Sequence, residues 1–337
     1  MYRIPDNNTG AINHFQDYAE KVKLVVSDYY AKQSSEWCKK YTGKFLERVI
    51  SSDTTLTNTG SLLEILLIGD FRKQKDLIIL IDKELDAEKI NQTDVKNVFM
   101  QTMSDLFVDT FYNKNTFFNK NKHIERVGVE VCPYCGRNYV FSVKHPTKSN
   151  PNTRIKPQID HFLPKSEYPY LALNYYNLIP SCSTCNERPS KGTNDPIGND
   201  RVHEYLMQPR EFRSEDIEFS YIPNTSFYRD FSVKVDMKCS NPDLNKGYKK
   251  WLGLDKLYEK HNGEVSRMFV QLEAVIADKY KDYLKNKFKV PSDYLQSVPF
   301  ILFGYSLSDD QAPFIQLHKF KKDIFKQIKR DFGDINQ

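Results

Sequence analysis

Gln158-Ile-Asp-His-Phe-Leu-Pro164 decides the fold of this chain, because it lies between two cysteine pairs of identical spacing. The pairs are Cys132-Pro-Tyr-Cys135 and Cys182-Ser-Thr-Cys185. Two such pairs can supply all four thiolate ligands of a closed tetrahedral zinc site. The intervening segment, residues 136–181, is longer than a simple zinc ribbon and suits a hairpin with an active-site loop. The sequence therefore predicts a zinc-stabilised unit built around the Asp-His dipeptide.

Other interpretations of the cysteines are weaker. A redox-active CxxC pair would have the same spacing, but two pairs, with Gly136 directly after the first, favour a metal. His145 could replace one cysteine as a ligand. Its Pro/Asn-rich surroundings favour a solvated side chain instead.

The composition is that of a soluble globular protein. The chain has 337 residues, of which 39% are hydrophobic and 28% are charged, and its net charge is +5. This length predicts two or three packed units, which we place at residues 1–125, 126–200 and 201–337. The mild positive charge agrees with a nucleic-acid partner but is too small to establish one.

The sequence predicts a cytoplasmic protein that does not enter a membrane. The start, Met1-Tyr-Arg-Ile-Pro-Asp6, lacks the apolar core of a signal peptide. The most apolar stretch, residues 62–68, is far shorter than the roughly 18 residues that span a bilayer. Cys38 and Cys239 stand apart from the two pairs, and such a pattern is typical of a reducing cytosol.

The flanks of the cysteine region are predicted to be mostly helical. An apolar stripe at three- and four-residue steps indicates a helix that starts near Thr93 and Asp94. Its members are Val95, Val98, Phe99, Met103, Leu106, Phe107 and Phe111. Residues 62–68 and 77–81 indicate buried helical segments, separated by the charged residues 70–76.

Strands are predicted in two places, so the fold class is α+β. Residues 139–143 and 156–160 indicate two antiparallel strands joined by a Pro/Asn-rich surface loop. Residues 217–222 and 231–236 are also β-prone. Helices return over residues 248–288 and 317–330, the latter with Phe320, Ile324 and Ile328 on one face.

Asp160, His161 and Asn186 carry the chemistry of phosphodiester hydrolysis. His161 can accept a proton from the attacking water, because its ordinary pKa is close to neutral pH. The Asp160 carboxylate and the Asn186 amide can offer oxygen ligands to Mg²⁺. In a regular strand the side chains of Asp160 and His161 point to opposite faces, so a local twist or the following loop must bring them to one site.

The combined pattern resembles the HNH endonuclease superfamily in its zinc-knuckle ββα-metal form. The matching residues lie between positions 132 and 192: the two CxxC pairs, Asp160-His161-x-x-Pro164, Asn177-Leu178, Cys185-Asn186 and Lys191-Gly192. The resemblance implies a mostly helical protein with a central ββα-metal unit, stabilised by structural zinc on Cys132, Cys135, Cys182 and Cys185. It also implies an enzyme that hydrolyses DNA with one catalytic Mg²⁺ or Mn²⁺.

The resemblance also implies a role for each matching residue. His161 is the general base, and Asp160 and Asn186 hold the catalytic metal. Asn177 braces the active-site loop, a place for which Asn174 is the weaker candidate. Lys191 contacts the nucleic-acid backbone, although Glu187-Arg-Pro-Ser190 lengthens the family spacing here and allows Arg188 to take over that contact.

Basic residues beside the site are expected to bind phosphates, which would make affinity dependent on salt. The candidates are Arg137, Lys156, Lys165, Arg188 and Lys191. A second basic cluster, from Lys319 to Arg330, is interpreted as the solvated face of a helix. None of these residues indicates a code for reading bases.

Outside the core, the chain is similar to HNH nucleases of bacterial antiphage systems such as Septu. The residues that carry this likeness are Trp251-Leu-Gly-Leu254, Leu302-Phe-Gly-Tyr305 and residues 317–324. It implies an antiviral effector that acts beside an ATPase partner. The long helical flanks are expected to dock that partner or a second copy of the chain.

Two other functions stay open at the level of the sequence. An HNH nuclease could attack RNA, including tRNA, since a ββα-metal site tolerates either polymer. The chain could also be a zinc-stabilised nucleic-acid-binding module without catalysis. The presence of Asp160, His161 and Asn186 together argues against that reading.

Overall fold

The protein is described by a computed structural model over residues 1–33, 36–51, 60–86, 92–145, 154–198, 203–224, 231–237, 241–276, 285–287 and 298–332. The chain divides into two compact units. The N-terminal unit comprises Pro5–Val129 and Val140–Arg210, and the C-terminal unit comprises Met1–Ile4, Glu130–Tyr139 and Glu211–Gln337. The boundaries expected from the sequence near residues 125 and 200 stay a prediction.

Helices supply most of the N-terminal unit, as the α+β fold class predicts. They are α1 (Asn8–Lys32), α2 (Glu36–Ser51), α3 (Leu62–Ile68), α4 (Phe71–Asp86), α5 (Gln92–Met103), a π-helix (Ser104–Tyr112) and α6 (Lys120–Val127). In the described part of the chain no helix is both long and apolar enough to cross a bilayer.

The apolar stripe at residues 95–111 is confirmed as a buried helical face. All of its members are buried except Val98, which is half-buried. Helix α5 begins at Gln92, next to the expected start near Thr93 and Asp94. Asp94 therefore lies in the first turn of α5. After Met103 the helix widens into the π-helix, which the apolar period did not predict.

The charged residues 70–76 were expected to separate two helical segments, but they begin one helix. The Asp70 carboxylate accepts a hydrogen bond from the Lys73 N–H at 2.9 Å, which satisfies one of the open amides at the start of α4. The charged side chains Arg72 and Asp76 face solvent, while Phe71 and Gln74 are buried.

The strands around the Asp-His dipeptide pair differently from the sequence expectation. Strands β1 (Val143–Lys144) and β2 (Arg154–Ile155) form only a two-residue ladder. Strand β3 (Gln158–His161) pairs instead with β4 (Leu178–Ser181), antiparallel, with Asp160 opposite Ile179. Pro157 explains the change, because it has no N–H to donate and so interrupts the strand between Ile155 and Gln158. A short helix, α7 (Ser183–Asn186), follows β4 and completes a ββα arrangement.

The loop between β3 and β4 is tied to the N-terminal helices by Asn174. Asn174 lies in the irregular loop that follows a 3-10 helix at Pro169–Leu171. Its Oδ1 accepts from Gln74 Nε2 at 2.9 Å and from the Asn177 N–H at 3.0 Å. Its Nδ2 donates to the carbonyl oxygens of Ile65 and Gly69 at 2.8 and 3.1 Å.

The C-terminal unit is built on one antiparallel pair and several helices. The two β-prone stretches are strands, as predicted, and β5 (Ile217–Pro223) pairs antiparallel with β6 (Phe231–Met237). The helices are α8 (Leu254–Glu259), α9 (Asn262–Ile276), α10 (Val298–Phe303) and α11 (His318–Phe332), with a π-helix at Lys246–Trp251. Residues 277–284 and 288, the end of the helix expected from 248, lie outside the described residues.

Helix α11 buries the face predicted from its apolar residues. Phe320 packs edge-on against Phe219 of β5 at 5.6 Å between ring centroids. The expectation of a fully solvated basic face is wrong at Lys319, which is buried and pairs with Asp323 at 2.7 Å. Asp323 in turn accepts the Phe219 N–H at 3.1 Å, so the pair anchors the helix to the strand.

We expect Asn174→Ala to lower the free energy of unfolding by about 3 kcal/mol, because it removes a buried set of side-chain hydrogen bonds that tie the loop to Gln74 and to the carbonyls of Ile65 and Gly69. The measurement is a thermal or urea melt of the whole chain. Asn113→Ala, at an exposed asparagine of the same unit, is the control. An equal effect of the two substitutions would show that the Asn174 contacts do not hold the loop.

Candidate active site and metal centre

The four predicted zinc cysteines form one buried cluster. The Sγ atoms of Cys132, Cys135, Cys182 and Cys185 all lie within 4.8 Å of one another. A tetrahedral zinc site with bonds of about 2.3 Å needs sulfur atoms about 3.8 Å apart. The cluster therefore fits zinc with small adjustments of the side chains, as the spacing predicted. His145 is exposed and is not part of the cluster, and Cys239 and the Cys38 side chain are not described.

A tight turn shapes the first cysteine pair. The Gly136 N–H donates to the Cys132 carbonyl at 2.7 Å, and Gly136 has a φ of +66°, which a residue with a Cβ rarely adopts. The Arg137 N–H then points at Cys135 Sγ at 3.4 Å. An amide directed at the sulfur favours the thiolate form that a metal requires.

The second pair follows directly from β4. The N–H groups of Cys185 and Asn186 both donate to the Cys182 carbonyl, at 3.1 and 3.0 Å, and form the single turn of α7. The Lys191 N–H donates back to the Cys185 carbonyl at 3.1 Å. The cysteines and the strand pair are thus joined by a short and fully hydrogen-bonded segment.

His161 is held in one tautomer. Its Nε2 lies 3.0 Å from the Ala172 carbonyl oxygen, which can only accept, so Nε2 carries the hydrogen and Nδ1 is the basic nitrogen. Burial, assisted by the positive charges of Lys165, Lys191 and Lys120, lowers the pKa of His161 to about 3, although the hydrogen bond to Ala172 acts in the opposite direction. The ring is therefore neutral at neutral pH.

Lys191 connects Asp160 to the backbone of His161. Its Nζ donates to Asp160 Oδ1 at 3.0 Å and to the His161 carbonyl at 2.9 Å. The lysine side chain is 0% exposed and the aspartate 3%. This buried ion pair fixes the end of β3 at the residue that carries the imidazole.

The structure corrects the role expected for Lys191. A contact with a nucleic-acid backbone needs an ammonium at the surface, whereas this one is completely buried because Asp160 requires its charge. Arg188 is exposed and donates to Thr193 Oγ1 at 3.1 Å. Arg137 donates through Nε to His261 Nε2 at 2.9 Å. Binding of nucleic acid by Arg188, Arg137 and Lys165 stays a prediction.

Asn186 lies across from the strand that carries Asp160. Its Nδ2 donates to Gln158 Oε1 at 2.8 Å, and Gln158 is two residues before Asp160 on the same face of β3. Gln158 also hydrogen-bonds to Glu187. The donor set that Asp160 and Asn186 offer, one carboxylate and one amide oxygen, suits Mg²⁺ or Mn²⁺, since Mg²⁺ usually takes few protein ligands and keeps several waters.

Asn177 closes the loop that follows His161. Its Oδ1 accepts the Leu163 N–H at 2.7 Å, and its Nδ2 donates to the carbonyls of Leu163 and Leu171 at 3.1 and 3.2 Å. Asn174, the alternative brace, holds the same loop from the helical side. Both asparagines are fully buried, so both support the loop.

Sequence reasoning missed Tyr112 and Lys120. The Tyr112 ring packs edge-on against His161 with 4.4 Å between centroids, and Lys120 Nζ lies 4.4 Å from the centre of the Tyr112 ring. Tyr112 ends the π-helix, and an apolar period of 3.6 residues cannot show where such a helix aims its last side chain. A tyrosine at the end of an otherwise apolar stripe was the only signal.

Comparison with known proteins gives one partial likeness. No protein-family profile matches the chain, and no solved structure matches it. A stretch of 49 residues is 53% identical to the Septu protein PtuB of Bacillus thuringiensis. That stretch covers 13% of this chain and 18% of PtuB, so the comparison spans less than a fifth of that relative's length.

We expect Cys182→Ser to reduce the zinc content and to lower the melting temperature of the chain, because three thiolates hold the metal less tightly and the metal stabilises the fold. Metal analysis and thermal melting measure the two effects. Cys38→Ser serves as the control, since Cys38 lies outside both pairs. Full zinc content in Cys182→Ser would contradict the assignment of the ligands.

We expect Lys191→Met to destabilise the protein by about 3–5 kcal/mol, because it leaves the buried Asp160 carboxylate without its ion-pair partner. Denaturant melts measure the loss. Arg188→Met, at an exposed basic residue three positions earlier, is expected to change stability by less than about 0.5 kcal/mol. Equal stability of the two variants would show that Lys191 is not needed by Asp160.

Proposed function

We propose that the chain is a metal-dependent endonuclease of the HNH type, which hydrolyses phosphodiester bonds in DNA. The observation that carries this proposal is the fixed tautomer of His161 beside Asp160 on the β3–β4 hairpin. A nuclease of this type needs a neutral base next to a carboxylate ligand, and both side chains stand on a hydrogen-bonded scaffold. The order of elements, strand, strand and short helix, supports the same reading.

His161 acts as the general base. Its Nδ1 takes a proton from the attacking water, and the Nε2–H bond to Ala172 keeps the ring oriented while the imidazole becomes positively charged. Mg²⁺ or Mn²⁺, held by Asp160 and Asn186, would stabilise the charge that develops on the phosphate. Lys191 keeps the Asp160 carboxylate in place and neutralises part of its charge.

Antiviral defence is the biological role that we propose. The likeness to the Septu protein PtuB supports it, and the residues outside positions 126–200 supply far more surface than hydrolysis needs. That surface would bind an ATPase-like partner or a second copy of the chain. Such a partner would regulate the access of DNA to the site that contains His161.

We expect the purified zinc-loaded chain to nick or linearise supercoiled plasmid with Mg²⁺ or Mn²⁺, and His161→Ala to lose at least about 100-fold in rate, since general bases contribute roughly that much or more. His145→Ala, at an exposed histidine, is the control that leaves the rate unchanged. Zinc content and melting temperature of each variant show that the fold is intact.

The outcomes separate the functions. Cleavage that survives in His161→Ala would reject this residue as the base. Cleavage of structured RNA but not of plasmid, lost in the same variant, would move the substrate to RNA. If neither polymer is cleaved, even by a complex purified with its partner from the source cell, the chain is not a nuclease.

A further inference from the structure

We propose that Tyr112, Lys120 and Lys165 form a binding site for backbone phosphates of the nucleic acid, next to His161. These three residues are called the lysine–tyrosine platform below. The proposal rests on the function proposed above and adds the residues that would hold the substrate strand. None of the three belongs to the metal-binding or zinc-binding residues.

The platform is built around the Tyr112 ring. Lys120 Nζ lies 4.4 Å from its centroid and Lys165 Nζ lies 5.0 Å away, both within the range of a cation–π contact. The same ring meets the imidazole of His161 at 4.4 Å and 67°. One aromatic ring therefore places two ammonium groups beside the proposed base.

The three side chains come from separate parts of the N-terminal unit. Tyr112 is the last residue of the π-helix, and Lys120 is the first residue of α6. Lys165 lies in the loop after β3. Two of them are charged side chains that are half-buried, while the tyrosine is buried. π-helical turns are rare and occur frequently at functional sites, which fits the placement of Tyr112 here.

Positive charge is concentrated at the platform, and the charge of Asp109 offsets only part of the effect of burial on the pKa of Lys165. Burial lowers the pKa of Lys120, and the charges of Lys156 and Lys165 lower it further, so the three ammonium groups repel one another. Among the described residues, no carboxylate lies within ion-pair distance of any of these lysines. A bound anion would relieve this repulsion, which gives the site a preference for phosphate groups.

The Tyr112 hydroxyl adds a neutral donor. Burial raises its pKa, and the charge of Asp160 raises it further, so the hydroxyl keeps its hydrogen near neutral pH. Tyr112 is thus within electrostatic reach of Asp160 and in ring contact with His161. A phosphate bound at the platform would lie beside both residues of the proposed hydrolytic site.

The salt dependence of binding tests the platform directly. Each lysine that neutralises a phosphate of duplex DNA contributes about 0.9 to the slope of log affinity against log salt concentration. The test uses the full-length zinc-loaded protein with His161→Ala, so that the nucleic acid is bound and not cleaved. Fluorescence anisotropy with labelled duplex DNA and structured RNA, over 50–200 mM salt, gives affinity and slope.

We expect Lys120→Met and Lys165→Met each to reduce the slope by about 0.9 and to weaken binding on the order of tenfold. Methionine keeps the length of the side chain and removes only the charge. Lys96→Met is the matched control. Lys96 is exposed on α5, roughly 20 Å from Tyr112 along the helix that α5 and the π-helix form together. Partial unfolding would lower the bound fraction at every salt concentration without changing the slope.

The role of Tyr112 is tested with one substitution that removes its aromatic ring and one that keeps the ring. Tyr112→Leu is expected to weaken binding and to reduce the slope, because the ammonium groups lose the surface that holds them, and Tyr112→Phe is expected to recover most of the slope. Lys120→Arg should likewise recover the slope lost in Lys120→Met.

Two results would overturn the inference in distinguishable ways. If the His161→Ala parent binds nucleic acid and the lysine variants keep the slope of Lys96→Met, the platform is rejected while the nuclease stands. If the parent binds neither DNA nor RNA and the wild type cleaves neither, the proposed function fails and the platform fails with it.

Discussion

The buried ion pair between Lys191 and Asp160 is the constraint on which the candidate site depends. Two charges that are almost completely removed from water are tolerated only when they satisfy each other. Because the Lys191 N–H also bonds to the Cys185 carbonyl, the pair links the second cysteine turn to β3. A metal on the cysteines and the Asp160 carboxylate of the candidate site would thus be supported by one short segment of chain.

The helices before the cysteine region support the loop between β3 and β4, which carries the candidate site. His14 donates through Nε2 to the Leu173 carbonyl at 2.8 Å, and His123 donates to the Leu178 carbonyl at 2.9 Å. Together with Asn174 they fix the loop that presents the Ala172 carbonyl to His161. A small hairpin has little core of its own, so these contacts explain physically why it is packed into a helical unit.

The cysteine cluster, the buried helical faces and the strands β5 and β6 could be predicted from the sequence, because each follows from local spacing or local residue preference. Partners far apart in the chain could not be predicted in this way. The pairing of β3 with β4 and the burial of Lys191 depend on residues 17–31 positions away, and Tyr112 reaches His161 from the π-helix. The spacing of apolar residues shows which face of a helix or strand is buried, but it does not show which other element packs against that face.

The histidines of the N-terminal unit show why His161 differs from a structural histidine. His14, His123 and His161 all donate Nε2–H to a backbone carbonyl and so share one tautomer. In His14 and His123 the second nitrogen is buried without a hydrogen-bond partner, and these residues are 0% and 1% exposed. His161 is 8% exposed, and its Nδ1 is not among the sealed atoms of the described residues. If His161 is the base, as proposed above, the same kind of bond that supports the fold at His14 and His123 would orient the imidazole that takes the proton.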